Sequence, residues 1–153
     1  DIVFHGPRLA LGDGHLLDLP GHYPRGAVIL GFEVGRRRLR LAATHLSLAQ
    51  GLRIAQMRAV GQYLGRTGDA PVIVAGDLNE WRPWGGLAFS PRVTGLALRG
   101  PAPASFPSDW PCLPLDRVLA SAPATVLRAE AIRTPEVRHI SDHLPVRATI
   151  RLP

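Results

Sequence analysis

The pattern of apolar and polar residues predicts a strand-rich chain with one principal helix. Residues 26–34 are rich in β-branched and other apolar side chains. Residues 39–44 repeat that pattern after Gly35 and a run of arginines, so the two segments are predicted to form a β-hairpin. The first 25 residues hold many glycines and prolines. They are therefore predicted to be irregular, with short strands at 1–5 and 8–11.

A helix is predicted from Leu52 to Arg66, because apolar residues recur there at helical spacing and glycines follow the segment. The residues predicted to face the core are Leu52, Ala55, Ala59, Val60, Tyr63 and Leu64. The residues predicted to face solvent are Arg53, Gln56, Arg58 and Gln62.

The second half of the chain adds four predicted strands. Residues 72–75 form a continuous apolar run, which indicates a strand buried on both faces. Residues 82–114 contain many prolines and glycines and are predicted to be loops with short elements. The remaining strands are predicted at 115–120, 126–132 and 146–152. No linker or repeat divides the chain, so the pattern predicts one mixed α/β domain over residues 1–153.

Polar residues suited to phosphoryl chemistry lie at four of the predicted strand ends. They are Thr44-His45-Leu46, Gly76-Asp77-Leu78-Asn79, Leu115-Asp116-Arg117-Val118 and Ser141-Asp142-His143-Leu144-Pro145. Each motif alone is also explained by an ordinary strand end or turn, because short motifs carry a real false-positive risk. Four such segments, each beside an apolar strand, favour a common site.

The pair Asp77 and Asn79 follows the most apolar strand directly. Residues two apart on an extended chain project from the same face, so both side chains are predicted to point the same way. A carboxylate can take a proton or hold a cation, and an amide can bind an oxyanion. Gly, Asp and Asn also favour turns, so this motif alone is equally consistent with a plain strand end.

Composition narrows the function classes. The chain has 153 residues, of which 46% are hydrophobic, enough for one domain with a real core. No apolar run approaches the roughly 20 residues that span a bilayer, and no signal-peptide pattern is visible. The single cysteine, Cys112, excludes an internal disulfide. The sequence leaves the localisation unknown, with a reducing compartment such as the cytoplasm favoured over an oxidising one.

The formal net charge is +6, and all 18 basic residues are arginines. Such a charge favours anionic substrates, and the guanidinium fork suits phosphate. The densest cluster, Arg36-Arg37-Arg38 with Arg40, is better explained as a solvated hairpin turn than as a nucleic-acid site. Trp81 and Trp84 are equally consistent with stacking on a base, entry into a lipid surface, or loop packing.

With these motifs in this order and spacing, the chain resembles the endonuclease/exonuclease/phosphatase superfamily. Its members include deoxyribonuclease I, exonuclease III-type repair nucleases, sphingomyelinases and inositol polyphosphate phosphatases. Arg25-Gly26 and Ser105-Phe106-Pro107-Ser108 add to the resemblance. It implies an α/β fold, namely a deoxyribonuclease I-like sandwich of two packed mixed sheets flanked by helices.

The resemblance also implies a role for each candidate residue. Asp77 would orient or deprotonate the attacking water, and His143 would contact the phosphate or act as base. Asp116 would fix the tautomer of His143. His45 and Asn79 would bind the phosphate, and Asn79 would also help to position the water. Asp142 would be a metal ligand or lie in the metal's outer shell.

The cofactor implied is Mg²⁺, with Mn²⁺ as the alternative, because hard cations prefer oxygen ligands. The superfamily's main metal-binding Glu, and an Asn before it, have no counterpart at the expected place. Glu33, Glu130 and Glu136 lie at the wrong points in the order, and Glu80 is predicted to face a loop. The chain is therefore interpreted as a domain lacking its N-terminal third. A homodimer, a missing segment or an exposed apolar patch is then expected on the uncovered sheet.

Two functions follow from this resemblance. The first is a metal-dependent phosphoesterase of the phosphodiesterase or nuclease type, acting on a phosphate ester such as nucleic acid or a phospholipid headgroup. The second is a diverged, non-catalytic domain of the same fold that binds phosphate or nucleic acid. The lack of a matching Glu favours the second, and the four polar strand ends favour the first.

Overall fold

In the computed structural model, which describes residues 3–152, seven strands form two sheets. The strands are β1 (Ala10–Leu19), β2 (Arg25–Val34), β3 (Arg37–Thr44), β4 (Val72–Asp77), β5 (Asp116–Ala120), β6 (Thr125–Ala131) and β7 (Val146–Arg151). The helices are α1 (Gln50–Gly65), α2 (Pro91–Thr94) and α3 (Pro135–Arg138), with a 3₁₀ turn at Leu87–Phe89. The predicted α/β architecture with two sheets is confirmed.

The topology of the larger sheet brings four strand ends to one edge. Its order is β1-β2-β3-β4-β5, with β3 and β4 parallel and the other pairs antiparallel. Helix α1 makes the crossover between the two parallel strands. Because β2 and β5 run the opposite way, their first residues lie beside the last residues of β3 and β4. Asp77 is accordingly paired with Asp116 across the sheet.

Strand β4 is buried on both faces, as its continuous apolar run predicts. Val72 and Val74 belong to the core beneath α1, whereas Ile73 belongs to a second core that includes Val126 of β6. All three β4 side chains are almost fully buried. Burial of this kind contributes about 1.5–3 kcal/mol per side chain, so the strand that ends at Asp77 is firmly anchored.

The predicted hairpin is confirmed. Val34 of β2 pairs with Arg37 of β3, and Gly35 supplies the left-handed backbone of the turn with a φ of 63°. Residues 36–38 are exposed. This arginine cluster lies at the end of the sheet opposite the polar strand ends, which supports its interpretation as a solvated turn.

The prediction of an irregular N-terminal segment is wrong for residues 10–19. They form β1, which pairs with β2 along its length and has a register shift between Leu11 and Gly14. Most of this edge strand is exposed, so it lacks the apolar alternation that marks a half-buried strand. No strand forms at residues 3–5, and residues 1 and 2 lie outside the described range.

The predicted helix is present, and its predicted faces are correct in part: Val60 and Leu64 are buried and Arg58 and Gln62 are exposed as predicted, but Arg53 and Gln56 are not exposed. Helix α1 buries Arg53 and Gln56 beside Met57, Val60 and Leu64, whereas Leu52, Ala55, Ala59 and Tyr63 are only partly buried. Buried polar groups are tolerated when they are hydrogen-bonded. The Gln56 amide meets this condition, because it donates to the carbonyl of Pro20 at 3.0 Å and accepts from the amide of Ser47 at 2.8 Å.

Candidate functional site

The candidate site begins where the end of β4 passes close to the end of β3. Gly76 has a φ of 135°, and a Cβ there would lie 2.0 Å from the carbonyl oxygen of Thr44. Only glycine fits such an approach. Beyond it, the Leu46 amide donates to the Asp77 carbonyl at 2.9 Å. The glycine in the 76–79 motif thus allows the loops after the two strands to lie side by side.

Asp77 and His45 meet at this junction. The Nε2 atom of His45 lies 3.2 Å from Oδ2 of Asp77, and the Asp77 side chain is 18% exposed. The other carboxylate oxygen, Oδ1, accepts the amide of Asn79 at 3.0 Å. The predicted neighbours His45 and Asp77 are therefore in contact, with the carboxylate facing solvent at its edge.

Asn79 does not follow the extended-chain prediction. Strand β4 ends at Asp77, and Asn79 has a left-handed φ of 51°. Its side chain is buried and donates to the carbonyl of Leu46 at 2.9 Å. This bond ties the two loops together and uses one of the two amide hydrogens. The other hydrogen leaves capacity for the predicted phosphate contact, which stays a prediction.

Asp116 and His143 form a second pair beside the first. The distance between Nδ1 of His143 and Oδ2 of Asp116 is 2.7 Å. Since an ionised carboxylate only accepts, Nδ1 must carry the proton, which leaves Nε2 as the outward nitrogen. The hydroxyl of Ser105 donates to the same carboxylate oxygen at 2.6 Å, and the Phe106 ring lies 4.8 Å from the imidazole. The ring of His143 is thus held in one orientation.

The surroundings of His143 favour its charged form. Partial burial alone would lower the pKa of His143. The hydrogen bond to Asp116 and the negative charges of Asp116, Asp77 and Asp142 act in the opposite direction, and their net effect raises the pKa above its usual range. The imidazolium is therefore populated at higher pH than in a free histidine.

This arrangement predicts that Asp116→Asn lowers the pKa of His143, because the variant removes both the carboxylate acceptor and its charge. The pKa is measured from the imidazole proton shifts of His143 in an NMR titration. The pairing also links stability to pH. Because the pKa of His143 is raised in the folded protein, the pairing with Asp116 contributes fully to the free energy of unfolding below the unfolded-state pKa. This contribution is lost as pH rises through the folded-state pKa. A His143 pKa that is unchanged or higher in the variant would contradict the assignment.

Asp77, Asp116 and His143 form a group that could hold a metal ion. One ligand atom from each lies within 4.8 Å of the others, and all three are partly buried. Two carboxylates suit a hard divalent cation, but Nδ1 of His143 is already bonded to Asp116. The fit thus rests on the two carboxylates. Asp142 lies outside this group, with an exposed side chain 3.5 Å from the Ser141 hydroxyl, and its metal role stays a prediction.

Arg25 extends the site along the start of β2. Its guanidinium donates to the His45 carbonyl at 2.9 Å. An open groove of about 300 Å³ lies here, lined by Tyr23, Pro24, Arg25, Gly26 and His45. The groove is adjacent to the His45–Asp77 contact, so a substrate group could extend into it.

A buried ionic cluster supports the loop after Asn79, and the sequence did not reveal it. Glu80, predicted to face a loop, is instead fully buried. It pairs with Arg82 at 2.7 Å and with buried Arg53 at 3.5 Å. Arg117, also buried, donates to the carbonyls of Glu80, Arg82, Pro83 and Pro114. The only sequence signal for this cluster is that Glu80 and Arg117 each adjoin a site motif.

Known proteins include relatives that this chain resembles in sequence. A model of the Endonuclease/Exonuclease/phosphatase family matches residues 5–143. The uncharacterized protein YbhP of Escherichia coli K12 is 34% identical over 123 residues, which cover 76% of this chain and 47% of YbhP. The chain thus spans about half the length of the curated relatives that it matches.

Solved structures give the same fold. An endonuclease/exonuclease/phosphatase from Bacteroides vulgatus has a TM-score of 0.79 at 15% identity, covering 95% of this chain and 67% of its own. Zebrafish TDP2, solved with a single-strand DNA product, has a TM-score of 0.74 at 18% identity and coverages of 95% and 69%. The mannosyl-6-phosphatase of Bacteroides thetaiotaomicron has a TM-score of 0.75 at 15% identity, covering 95% of this chain and 68% of its own. Within residues 3–152, none of the helices combines the length and apolarity needed to cross a membrane.

Proposed function

Because the chain belongs to the Endonuclease/Exonuclease/phosphatase family, we propose that it is a metal-dependent phosphoesterase that hydrolyses a phosphate ester by attack of water. The observation that carries this proposal is the convergence of Asp77, Asp116 and His143 within 4.8 Å at one sheet edge. Phosphoryl transfer relies on positioning and charge stabilisation, and this cluster offers both.

Asp77 is the group best placed to take a proton from the attacking water. Its Oδ1 is fixed by the Asn79 amide and its Oδ2 by His45. A carboxylate held at both oxygens keeps one orientation, which a general base requires. Asn79, whose buried side chain links the loops after β3 and β4, holds the backbone at this point and can offer its second amide hydrogen to the phosphate.

His143 binds and stabilises the phosphate in this proposal. Its Nδ1–H is committed to Asp116, so Nε2 faces the reacting group. The raised pKa keeps the imidazolium populated. Nε2–H can then donate a hydrogen bond to a phosphate oxygen as negative charge develops there. His45, half-exposed beside Asp77, is the second candidate donor to that phosphate.

A divalent cation, Mg²⁺ or Mn²⁺, would be held by the carboxylates of Asp77 and Asp116, with Asp142 as a further predicted ligand. When bound, such a cation neutralises phosphate charge and acidifies bound water. Asp116 also accepts hydrogen bonds from the Ser105 hydroxyl and from Nδ1 of His143. It therefore orients the imidazole whether or not a cation is bound.

The test is hydrolysis of bis-p-nitrophenyl phosphate by the purified chain, followed as p-nitrophenolate release. We expect activity with Mg²⁺ or Mn²⁺ and its loss in excess EDTA, with recovery when the metal is restored. Activity that EDTA leaves intact would contradict the metal-dependent proposal. If the purified chain binds inorganic phosphate but does not hydrolyse the ester with either cation, the non-catalytic binding function is favoured instead.

A further inference from the structure

Arg117 is a buried arginine whose guanidinium is surrounded by backbone carbonyls. The residue is 2% exposed. Its side chain donates to the carbonyl oxygens of Pro114, Glu80, Arg82 and Pro83, at 2.9, 2.7, 2.5 and 3.3 Å respectively. Removing a cation from water carries a large cost, which hydrogen bonds of this number help to offset. The side chain is therefore bonded on several sides.

Three of the four acceptors belong to one segment, residues 80–83, which directly follows Asn79. The fourth acceptor, Pro114, lies two residues before β5 begins. A guanidinium is planar and presents five N–H donors in a rigid fork, so it can hold carbonyls that approach from different directions. Arg117 thus fixes the segment 80–83 against the start of β5.

The backbone of Arg117 lies within the candidate site. It pairs with Gly76 of β4, and the residue before it, Asp116, pairs with Asp77. The backbone of Arg117 is therefore placed by the same strand pairing that brings the two carboxylates together. Its side chain reaches from there to the loop that follows Asn79.

Asn79 is the residue on which this restraint acts. Its φ of 51° is left-handed, a conformation that favours glycine and persists elsewhere only when the surrounding structure enforces it. In this conformation the Asn79 amide donates to Oδ1 of Asp77 at 3.0 Å. The carbonyl of the next residue, Glu80, accepts from Arg117 at 2.7 Å. The guanidinium thus restrains the chain one residue beyond the amide that holds Asp77.

We propose that Arg117 is a positioning residue for the candidate site: its guanidinium holds the segment 80–83, so that the Asn79 amide keeps the Asp77 carboxylate in one orientation. This inference rests on the proposed phosphoesterase function, in which Asp77 takes a proton from the attacking water. Because Arg117 is almost fully buried, it acts through the loop and not on the substrate.

A purely structural role for Arg117 has different consequences. Loss of a purely structural contact would lower the free energy of unfolding, but the molecules that remain folded would keep the wild-type kcat. The Asn79 amide would then exchange with solvent only when the whole protein unfolds. A positioning role requires local release of the Asn79 amide and a lower kcat in the folded protein, because alignment at the reacting atoms is altered.

The experiment compares Arg117→Lys with the wild type. Lysine keeps the positive charge, but its single ammonium group cannot reach four carbonyls together. We expect the Asn79 amide to exchange at least about tenfold faster in the variant, because hydrogen bonds to a charged group are lost. We also expect kcat for bis-p-nitrophenyl phosphate with Mg²⁺, measured per folded protein, to fall by about tenfold to a hundredfold.

Arg40→Lys is the matched control, because it makes the same substitution at the other end of the sheet. Arg40 pairs with Val72, the first residue of β4, and its guanidinium lies 3.2 Å from the carboxylate of Asp13. The exchange rate of the Asn79 amide and kcat should both stay within about twofold of the wild type in this variant.

A measurement on the wild type gives a second test that does not depend on the folding of Arg117→Lys. The Nε proton of Arg117, donated to the Pro114 carbonyl, and the Asn79 amide proton should begin to exchange in the same opening event as denaturant is added. If the Asn79 amide opens while the Arg117 Nε proton stays protected, the proposed restraint is overturned.

Two results with the variants would also overturn the positioning role. The first is exchange of the Asn79 amide in Arg117→Lys that is no faster than in Arg40→Lys. The second is faster exchange with an unchanged kcat, in a protein whose wild type is active. Faster exchange in a chain whose wild type hydrolyses the ester with neither cation would contradict the proposed phosphoesterase function and leave the restraint of Asn79 by Arg117 standing.

Discussion

Replacing Asp77 with Asn is expected to lower kcat for phosphodiester hydrolysis by about 10²–10⁴-fold, the usual contribution of a general base. Asparagine preserves the size of the side chain and can still accept the Asn79 amide bond. It cannot take a proton from water, and it removes a negative charge from the group that would hold the cation. The measurement is the steady-state rate at saturating substrate and Mg²⁺.

The control for Asp77→Asn is Asp69→Asn, which removes an exposed carboxylate just before β4, at the opposite end of that strand. It should leave kcat within about twofold of the wild type, since surface substitutions away from special features have small effects. Thermal unfolding of both variants checks that the fold is intact. A folded Asp77→Asn protein with wild-type kcat would show that Asp77 is not the base.

The second large effect is expected from Glu80→Gln, which should lower the free energy of unfolding by about 3–5 kcal/mol. Glutamine keeps the shape but removes the negative charge that pairs with Arg53, which is 2% exposed. Arg53 would then retain its hydrogen bonds to the carbonyls of Ser47 and Leu48 but no counter-ion. Urea denaturation monitored by circular dichroism measures the change.

The effect of Glu80→Gln should depend on pH. Burial alone would raise the pKa of Glu80, but hydrogen bonds from Arg82 and the positive charges of Arg53 and Arg82 lower it below its ordinary 4.5. Because the pKa of Glu80 is lowered in the folded protein, its ionised carboxylate stabilises the fold above the unfolded-state pKa. This stabilisation is lost as pH falls through the folded-state pKa. The difference between wild type and variant should therefore shrink in acid.

Glu33→Gln is the matched control, because the carboxylate of Glu33 pairs with Arg38 at 3.1 Å in an exposed position. Exposed ion pairs contribute about 0–1 kcal/mol, so this variant should unfold almost as the wild type does. Equal losses in the two variants would contradict the assignment of a buried supporting role to Glu80.

Where one local signal dominates, the sequence predicts the structure well. The run at 72–75 is apolar at every position, which is typical of a strand covered on both faces. Because the strand that contains this run ends at Asp77, the run also places Asp77 at the sheet edge. Asp116 and His143 are far apart in sequence, and their contact follows from the return of β5 alongside β4 and the loop that precedes β7.

Other features depend on partners that are distant in the chain. On the buried face of α1, Arg53 pairs with Glu80 and Gln56 is hydrogen-bonded to Pro20 and Ser47, and helical periodicity contains no sign of these partners. Strand β1 is held by backbone pairing with β2 rather than by apolar burial, so its side chains give no strand pattern. In both cases tertiary hydrogen bonding overrides the local pattern.

The proposed role of His143 in phosphoester hydrolysis is tested by comparing the wild type with His143→Gln on bis-p-nitrophenyl phosphate under saturating Mg²⁺. Glutamine cannot supply the charged donor that Asp116 holds toward the phosphate. We expect clear activity in the wild type and a rate about 10²–10³-fold lower in the variant. Equal rates in the two folded proteins would contradict this role.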